Sequence, residues 1–247
     1  MIDTSFDYRK DEGVNGRDPD KYSFQLKKDH SELWSKQLPV TKYGKLELTP
    51  QKDRIIAYVN GEYFDFGCDS ITNCYSYRKS TEELRKDEEV SKLLKEYDDA
   101  DYVIGSSIIF PLRRDDGLTR WTINQARGCL RRISDRIDLT LECIRLFYLD
   151  KEIQTPLHSR FMNYSRFFDW FGSFENYVKF FFLDDLVSED YKKVVGFTDV
   201  LDFDHAFPTS SIEEYKKYIK RNTEFIVKRN KRITDYLESV GSLIKNQ

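Results

Sequence analysis

The sequence predicts an α+β fold, in which a predominantly α-helical body packs against a small, largely antiparallel sheet. Two β-rich runs flank the pair Asn60-Gly61, which is the strongest short-range signal for a hairpin. After Pro111, apolar residues recur mainly at helical spacing. We therefore expect one domain over residues 1–247, with a β-containing half at about 1–111 and a helical half at about 118–247.

The composition excludes several classes of protein. Of the 247 residues, 15% are aromatic, which is far more than a disordered chain carries. No run of about 18 uncharged apolar residues is present, so no membrane span is expected. The formal net charge of −3 argues against a surface built as a whole to bind nucleic acid. No secretory signal is recognisable, so we expect a cytoplasmic protein whose cysteines are reduced and mostly packed: Cys68, Cys74, Cys129 and Cys143.

The first predicted element is a helix from about 22 to 35. Asp18 and Pro19 precede it, and these residue types suit a helix start because Asp accepts from free amides and Pro fits the first turn. The apolar residues of this helix are expected to be buried: Phe24, Leu26, Leu33 and Trp34.

Strands follow the first helix. Residues 54–59 and 62–66 are the two arms of the predicted hairpin. A charged helix is expected over 81–97, and the apolar run 102–110 suits a buried strand that Pro111 closes. These segments supply the small sheet of the predicted fold.

The second half is predicted to be helical. Capping boxes at 122–125 and 211–214 mark two helix starts. The first of these helices is expected to reach Tyr148, and the second to run nearly to the C-terminus. Two more helices are expected at 157–171 and 174–186, separated by a Gly-Ser pair.

The predicted 122–148 helix carries charges between two apolar faces. At 100° per residue, six charged residues form one stripe: Arg127, Arg131, Asp135, Asp138, Glu142 and Arg145. An isolated buried charge costs several kcal/mol, so these groups must either pair with one another or face a cleft. One interpretation is a ligand-binding cleft, and the other is an internal ladder of i, i+4 salt bridges.

In the cleft interpretation, the arginines bind an anion and a carboxylate transfers a proton. The predicted ligands are Arg127, Arg131 and Arg145, with Asn124 orienting the anion beside free helix-start amides. Glu142 or Asp138 is the candidate proton-transfer group. The expected guest is a phosphate-bearing molecule such as a nucleotide or an RNA end, and no cofactor is expected. The glycine motifs of P-loops and dinucleotide folds are missing, so no specific motif identifies this anion site. The sequence is therefore compatible with an enzyme and with a non-catalytic binding protein.

The three histidines are weaker candidates. His30 is a third possible catalytic residue, although its place between Asp29 and Glu32 also suits a solvent-facing position. Asp202, Asp204 and His205 bring metal-type ligands into one loop, but no second cluster is evident to complete a site. We therefore expect an acidic loop and no metal centre.

The alternative function is a non-catalytic interaction or oligomeric structural protein. Residues 161–182 hold eleven aromatic side chains, and their helical spacing predicts that most lie in the core, which is the interpretation we prefer. The remaining rings would crowd other faces and suggest a surface covered by another domain element or a partner subunit. The C-terminal helix carries apolar residues every seven positions, which favours a homodimer through this helix: Ile219, Ile226, Ile233 and Val240. The basic stretch 216–232 suits a nucleic-acid face or, as we prefer, a solvated face balanced by the acidic stretch 82–101.

Several phrases along the chain also carry a family resemblance: Phe6–Arg9, Arg17–Asp20, His30 with Leu33–Pro39, Thr122–Gly128, Asp135–Arg145, Asp185–Val187 and Arg229–Ile233. On these phrases the chain resembles a family of bacterial cytosolic proteins known only as a domain of unknown function. The resemblance extends over most of the chain. It implies no activity and assigns no role to any residue.

Overall fold

The computed structural model describes residues 2–208 and 211–245. It confirms the α+β class, because one four-stranded antiparallel sheet packs among helices. The strands lie in the sheet in the order in which they follow along the chain: β1 (Leu48–Pro50), β2 (Ile55–Val59), β3 (Glu62–Ser70) and β4 (Ser107–Pro111).

Helices form the rest of the fold. In the described part of the chain they are α1 (Pro19–Tyr22), α2 (Phe24–Trp34), α3 (Glu88–Ala100), α4 (Ile123–Cys129), α5 (Ile137–Leu149), α6 (His158–Met162), α7 (Ser165–Asp169), α8 (Phe174–Phe180) and α9 (Ile212–Lys245). One hydrophobic cluster joins both halves of the chain, from Ile2 to Ile233.

The predicted hairpin is confirmed. Asn60 and Gly61 adopt φ angles of 51° and 79°, and two left-handed residues give the turn type that matches the twist of the paired strands. The strand predicted for 102–110 begins only at Ser107. Ahead of it a 3-10 turn brings Gly105 so close to α9 that a Cβ atom there would lie 2.9 Å from the Asn230 nitrogen. The close approach of α9 therefore decides where β4 starts.

The first predicted helix is two helices, because the side chains of Asp18 and Ser23 each cap a separate start. Burial of Leu26, Leu33 and Trp34 is confirmed. The predicted burial of Phe24 is wrong, since this residue opens α2 and is exposed.

The two faces of the sheet meet different helices. On one face, Phe64 packs edge-on against Trp170 beyond α7, with ring centroids 4.5 Å apart. On the opposite face, the Arg127 guanidinium of α4 lies 5.4 Å from the Phe110 ring centroid. The same face continues to Tyr58 and Tyr63, which α4 leaves uncovered.

Nearly all aromatic side chains of residues 161–182 are buried in this chain, as the core interpretation predicted. The two long helices predicted there are wrong in extent: the chain forms α6, α7 and α8 with turns between them, and Phe182 after α8 has a φ of 54°. Breaking the helices lets successive rings point to one centre. The rings therefore need no partner subunit for cover.

Helix α9 also finds its cover within the chain. Ile219, Ile226 and Ile233 are fully buried, and α9 lies along α3. Lys216 bonds to Glu89 at 2.7 Å and lies 3.3 Å from Asp87, which confirms that the acidic stretch 82–101 balances part of the basic helix. A homodimer stays a prediction, and it would have to use the outer face of α9.

Arg229 anchors α9 to the body without any carboxylate. Its Nη1 atom donates to the backbone oxygens of Gly105 (2.7 Å) and Ser107 (2.8 Å), and its Nε atom donates to Phe181 O (3.1 Å) at the end of α8. Burial lowers the pKa of Arg229 to about 9. Carbonyl dipoles, including those at a helix end, thus compensate this buried charge.

Asp20 is expected to make the stability of the fold depend on pH. Its Oδ2 atom accepts from Ser70 Oγ at 3.0 Å, while burial and the nearby Asp18 carboxylate raise the pKa of Asp20 to about 7. In the unfolded chain the carboxyl ionises near its ordinary pKa of 3.8, so ionisation favours unfolding and stability should fall between pH 4 and 7. Asp20→Asn should therefore raise the melting temperature at pH 8 and flatten its pH profile.

Thermal melts of Asp20→Asn from pH 4 to 8 test this, with exposed Asp99→Asn as the control. A lower melting temperature for Asp20→Asn at pH 8, or an unchanged profile, would show that ionised Asp20 is not destabilising.

Candidate functional site

A cleft of about 670 Å³ lies between α5, α9 and the irregular segment 185–201. We call it the α5–α9 cleft. Its buried wall includes Phe197 and Phe225, whose ring centroids are 5.7 Å apart. Its charged lining consists of Glu142, Arg145, Asp185, Lys193, Asp199, Arg221, Glu224 and Lys228.

The wall made by 196–198 is held by a buried ion pair at the start of α5. Arg136 and Asp138 are both fully buried and bonded to each other. Asp138 Oδ2 accepts from Phe197 N at 2.8 Å, and Arg136 Nη2 donates to Thr198 Oγ1 at 2.9 Å. Burial alone would lower the pKa of Arg136, but the adjacent Asp138 carboxylate more than reverses this and raises it. The pair therefore positions an otherwise irregular segment.

Most charges in the cleft are already paired. Both oxygens of Glu142 accept from Arg145, at 2.7 and 2.8 Å, and this bond raises the pKa of Arg145. Arg221 bonds to Asp199 at 2.9 Å, and Asp185 bonds to Arg232 outside the cleft. Among the described residues, no partner of opposite charge lies within 4.0 Å of Lys193, Glu224 or Lys228. The cleft therefore offers two free cations.

The predicted continuous helix over 122–148 is wrong. The chain leaves α4 after Cys129 and starts α5 only at Ile137, and between them Ser134 and Asp135 have φ angles of 49° and 60°. Two left-handed residues reorient the chain, so the predicted stripe of charges does not exist. Of the predicted site residues, Glu142 and Arg145 line the cleft, and Asp138 lies behind its wall.

Arg127 lies elsewhere, fully buried over the sheet. It forms an ion pair with Asp69, its Nε donates to Thr140 Oγ1 at 3.1 Å, and its Nη2 lies 3.7 Å from Asp135 Oδ1. Both terminal nitrogens also donate to Ser70 O. Burial lowers the pKa of Arg127. Each nitrogen of this guanidinium has a partner within the chain, so none is free for an anion.

Asn124 and Arg131 are separated from the cleft as well. Asn124 Nδ2 donates to Cys68 O of β3 at 3.3 Å. Arg131 is exposed in the break between α4 and α5, where it lines a second cleft of about 600 Å³ with Arg132 and His205. Asn124 and Arg127 thus contact β3 from α4, and Arg131 lies in the second cleft. Of the four predicted anion-binding residues, Arg145 reaches the α5–α9 cleft.

His30 is buried in the core, so its predicted solvent-facing position is wrong. Its Nδ1 atom accepts from Trp34 Nε1 at 2.8 Å, and since an indole N–H can only donate, Nε2 carries the proton to Ser107 Oγ at 3.0 Å. Burial, with nearby Arg229, lowers the pKa of His30 to about 3. A neutral imidazole with both nitrogens bonded in the core serves to join α2 to β4.

The acidic loop that we expected around His205 is exposed. His205 Nδ1 lies 2.6 Å from Asp202 Oδ2. Over the described ranges, no group of three or more His, Cys, Asp or Glu side chains is arranged to hold a metal ion. All four cysteines are free, and three of them are buried.

Sequence reasoning missed the residues that complete the cleft. Arg221 and Lys228 lie in the basic stretch 216–232, for which the sequence favours a solvated face. Lys193 and Phe197 lie in a segment without helical or strand periodicity. The basic stretch was the one signal that could have pointed to this site.

Comparison with known families supports the resemblance found in the sequence. Residues 2–233 match a family of unknown function (DUF6994). The chain belongs to this family. The region shared with DUF6994 contains the whole lining of the α5–α9 cleft, from Glu142 to Lys228. Comparison with curated proteins and with solved structures finds no match. Within the described residues, no helix combines the length and apolar character needed to cross a bilayer.

Proposed function

We propose that the α5–α9 cleft binds a phosphate-bearing small molecule with an apolar or aromatic body, such as a nucleotide. One observation carries this proposal: the same cleft contains an apolar wall and two lysines, Lys193 and Lys228, that have no carboxylate partner among the described residues. A volume of about 670 Å³ lies within the range of small-molecule sites. The bacterial cytoplasm, where nucleotides are abundant, is the proposed location.

The lysines account for the phosphate. An ammonium group that lacks a carboxylate partner can form charge-assisted hydrogen bonds to phosphate without first breaking an ion pair. Arg145 and Arg221 add positive potential, although each is already bonded to a carboxylate. Lys228 is the main predicted phosphate ligand, because α9 holds its backbone in regular structure, whereas Lys193 lies in an irregular segment.

Exposed apolar side chains account for the body of the ligand. Val195 and Val200 line the cleft and are 53% and 72% exposed, although their neighbour Phe197 is buried. Covering such surface stabilises a complex by roughly 25 cal/mol for each Å² removed from water. A sugar-phosphate with a planar base would cover these valines, whereas inorganic phosphate would not.

A catalytic step is the finer part of the proposal. Glu142 lines the cleft and is the candidate for proton transfer. Because both of its oxygens accept from Arg145, a ligand must first draw Arg145 away. Asp138 is fully buried with both oxygens bonded, so we assign it a positioning role.

A thermal-shift screen with nucleotides, phosphorylated sugars and inorganic phosphate tests the binding proposal. A ligand at about 100 times its dissociation constant should stabilise the protein by about 2.7 kcal/mol. Lys228→Glu should abolish the shift and leave the melting temperature of the free protein nearly unchanged, because Lys228 is exposed and unpaired.

Lys220→Glu is the matched control. It makes the same charge change on an exposed position of α9 outside the cleft lining. Equal loss of the shift in both variants would indicate a general charge effect, and a panel without any shift would refute the proposed ligand class.

A further inference from the structure

A second surface combines exposed aromatic rings with unpaired arginines. It lies where the β2–β3 hairpin, the loop 112–122 and helix α6 meet, and we call it the aromatic–arginine surface. Its members are Tyr58, Tyr63, Arg113, Leu118, Arg120, Trp121, Arg160 and Met162. It shares no residue with the α5–α9 cleft.

Direct contacts make this surface continuous. Tyr58 and Tyr63 pair across the hairpin with ring centroids 5.6 Å apart, and the Arg113 guanidinium lies 5.2 Å from the Tyr63 ring. The loop is tied to the end of α6, because Asp115 N donates to Asn163 O at 2.8 Å. Arg160 of α6 then lies 5.8 Å from the Trp121 ring. Two aromatic platforms, each flanked by an arginine, are thus connected through the loop 112–122 and its bond to α6.

Two of these three rings are open to solvent, and Tyr63 is half-buried. Tyr58 is 63% exposed and Trp121 is 56% exposed, whereas the other two tryptophans, Trp34 and Trp170, are buried. Leu118 and Met162 are also exposed large apolar side chains on this surface. Exposed aromatic rings that gather in one area, rather than singly, are typical of interaction sites.

The charge of the surface is positive although that of the chain is negative. In the described part of the protein, no carboxylate lies within 4.0 Å of the guanidinium groups of Arg113, Arg120 or Arg160. The local acids are already engaged: Glu62 with Arg166, Asp116 with Arg114, and Asp115 with Ser165. The surface therefore attracts an anion.

We propose that the aromatic–arginine surface binds single-stranded nucleic acid. Unpaired bases stack on aromatic rings, and arginines beside those rings bind the phosphates that connect successive bases. An open platform on a sheet face suits splayed bases better than a duplex, whose bases are covered by their own stacking. An acidic peptide would match the charge but would leave Tyr58 and Trp121 without planar partners.

Intrinsic fluorescence provides the test, because Trp121 is the exposed tryptophan of three. Titration with a short oligouridylate should quench the emission as a base stacks on Trp121. With three phosphate contacts, the logarithm of the association constant should fall against that of the salt concentration with a slope of about −2.

Variants locate the binding. Measured by anisotropy of a labelled oligouridylate, Trp121→Ala should weaken binding about tenfold, and Arg160→Gln should reduce the salt slope by about 0.7. Tyr77→Ala and Arg78→Gln are the matched controls, since Tyr77 is 70% exposed and lies 5.9 Å from Arg78 outside this surface. Lys220→Glu, at an exposed position of α9 outside both sites, should leave this binding unchanged.

Three results would overturn the proposal. The first is no binding of the oligouridylate to the full chain at low salt. The second is an equal loss of affinity in the Tyr77 and Arg78 controls. The third is equal competition by an oligoglutamate peptide, which would assign the surface to acidic proteins instead.

Discussion

Replacing Asp138 with asparagine is expected to lower the free energy of unfolding by about 3–5 kcal/mol. Arg136 and Asp138 are fully buried and bonded through two nitrogens and two oxygens. The variant leaves the Arg136 guanidinium charged, since arginine does not lose its proton in proteins. It also weakens the acceptor that holds Phe197 N, so the wall of the α5–α9 cleft should loosen and any ligand-induced thermal shift should decrease.

Urea denaturation of the variant measures this effect, and a double variant separates the charge from the packing. Arg136→Met with Asp138→Leu removes both charges, and it should retain more stability than Asp138→Asn because no buried charge is left alone. A double variant less stable than the single one, or a loss below about 1 kcal/mol in Asp138→Asn, would contradict a buried, mutually dependent pair.

Local signals in the sequence predicted local structure well. The Asn60-Gly61 turn and the capping box of Thr122 with Gln125 are confirmed, because each depends on the chemistry of a few adjacent residues. The α+β class follows from such elements. The aromatic core was also predictable in kind, since rings at helical spacing are usually buried.

Nonlocal contacts set the limits of the prediction. Helical periodicity extends through 130–136, yet the chain turns there through left-handed residues that are neither glycine nor proline. Asp138 positions the cleft wall at Phe197, although the two residues are about sixty positions apart in the sequence. No sequence pattern within 187–203 predicts this contact. Arg229 lies in a basic stretch that suggested a solvated face, but it is buried among backbone carbonyls.

The sequence also does not reveal how many side chains the interior of the fold can bury. Whether eleven aromatic rings and an isoleucine stripe fit into one body depends on how α7, α8 and α9 are arranged, and sequence spacing does not contain that arrangement. The prediction of a partner subunit depended on an assumption about this interior space. Both sets of side chains are buried within the chain, apart from partly exposed Phe182 and Val240.

Arg127 and Arg145, equivalent in the predicted stripe, should lose very different amounts of stability when each is replaced by methionine. Arg127→Met is expected to destabilise the protein by about 3 kcal/mol or more, because it removes the common partner of Asp69 and Asp135 where α4 covers the sheet. Arg145→Met should cost about 1 kcal/mol or less, since Glu142 borders the cleft and can be hydrated.

For ligand binding, we expect Arg145→Met to be the more strongly affected of the two variants. A nucleotide that shifts the melting temperature of the wild type should bind Arg145→Met less tightly, because a cation of the cleft is lost, whereas Arg127→Met should keep its dissociation constant despite its lower stability. Urea denaturation and titration of the two variants at one temperature supply both comparisons. If Arg127→Met lost the ligand while remaining as stable as the wild type, Arg127 would be an anion ligand after all, and the structural role inferred from its bonds to Asp69, Thr140 and Asp135 would be refuted.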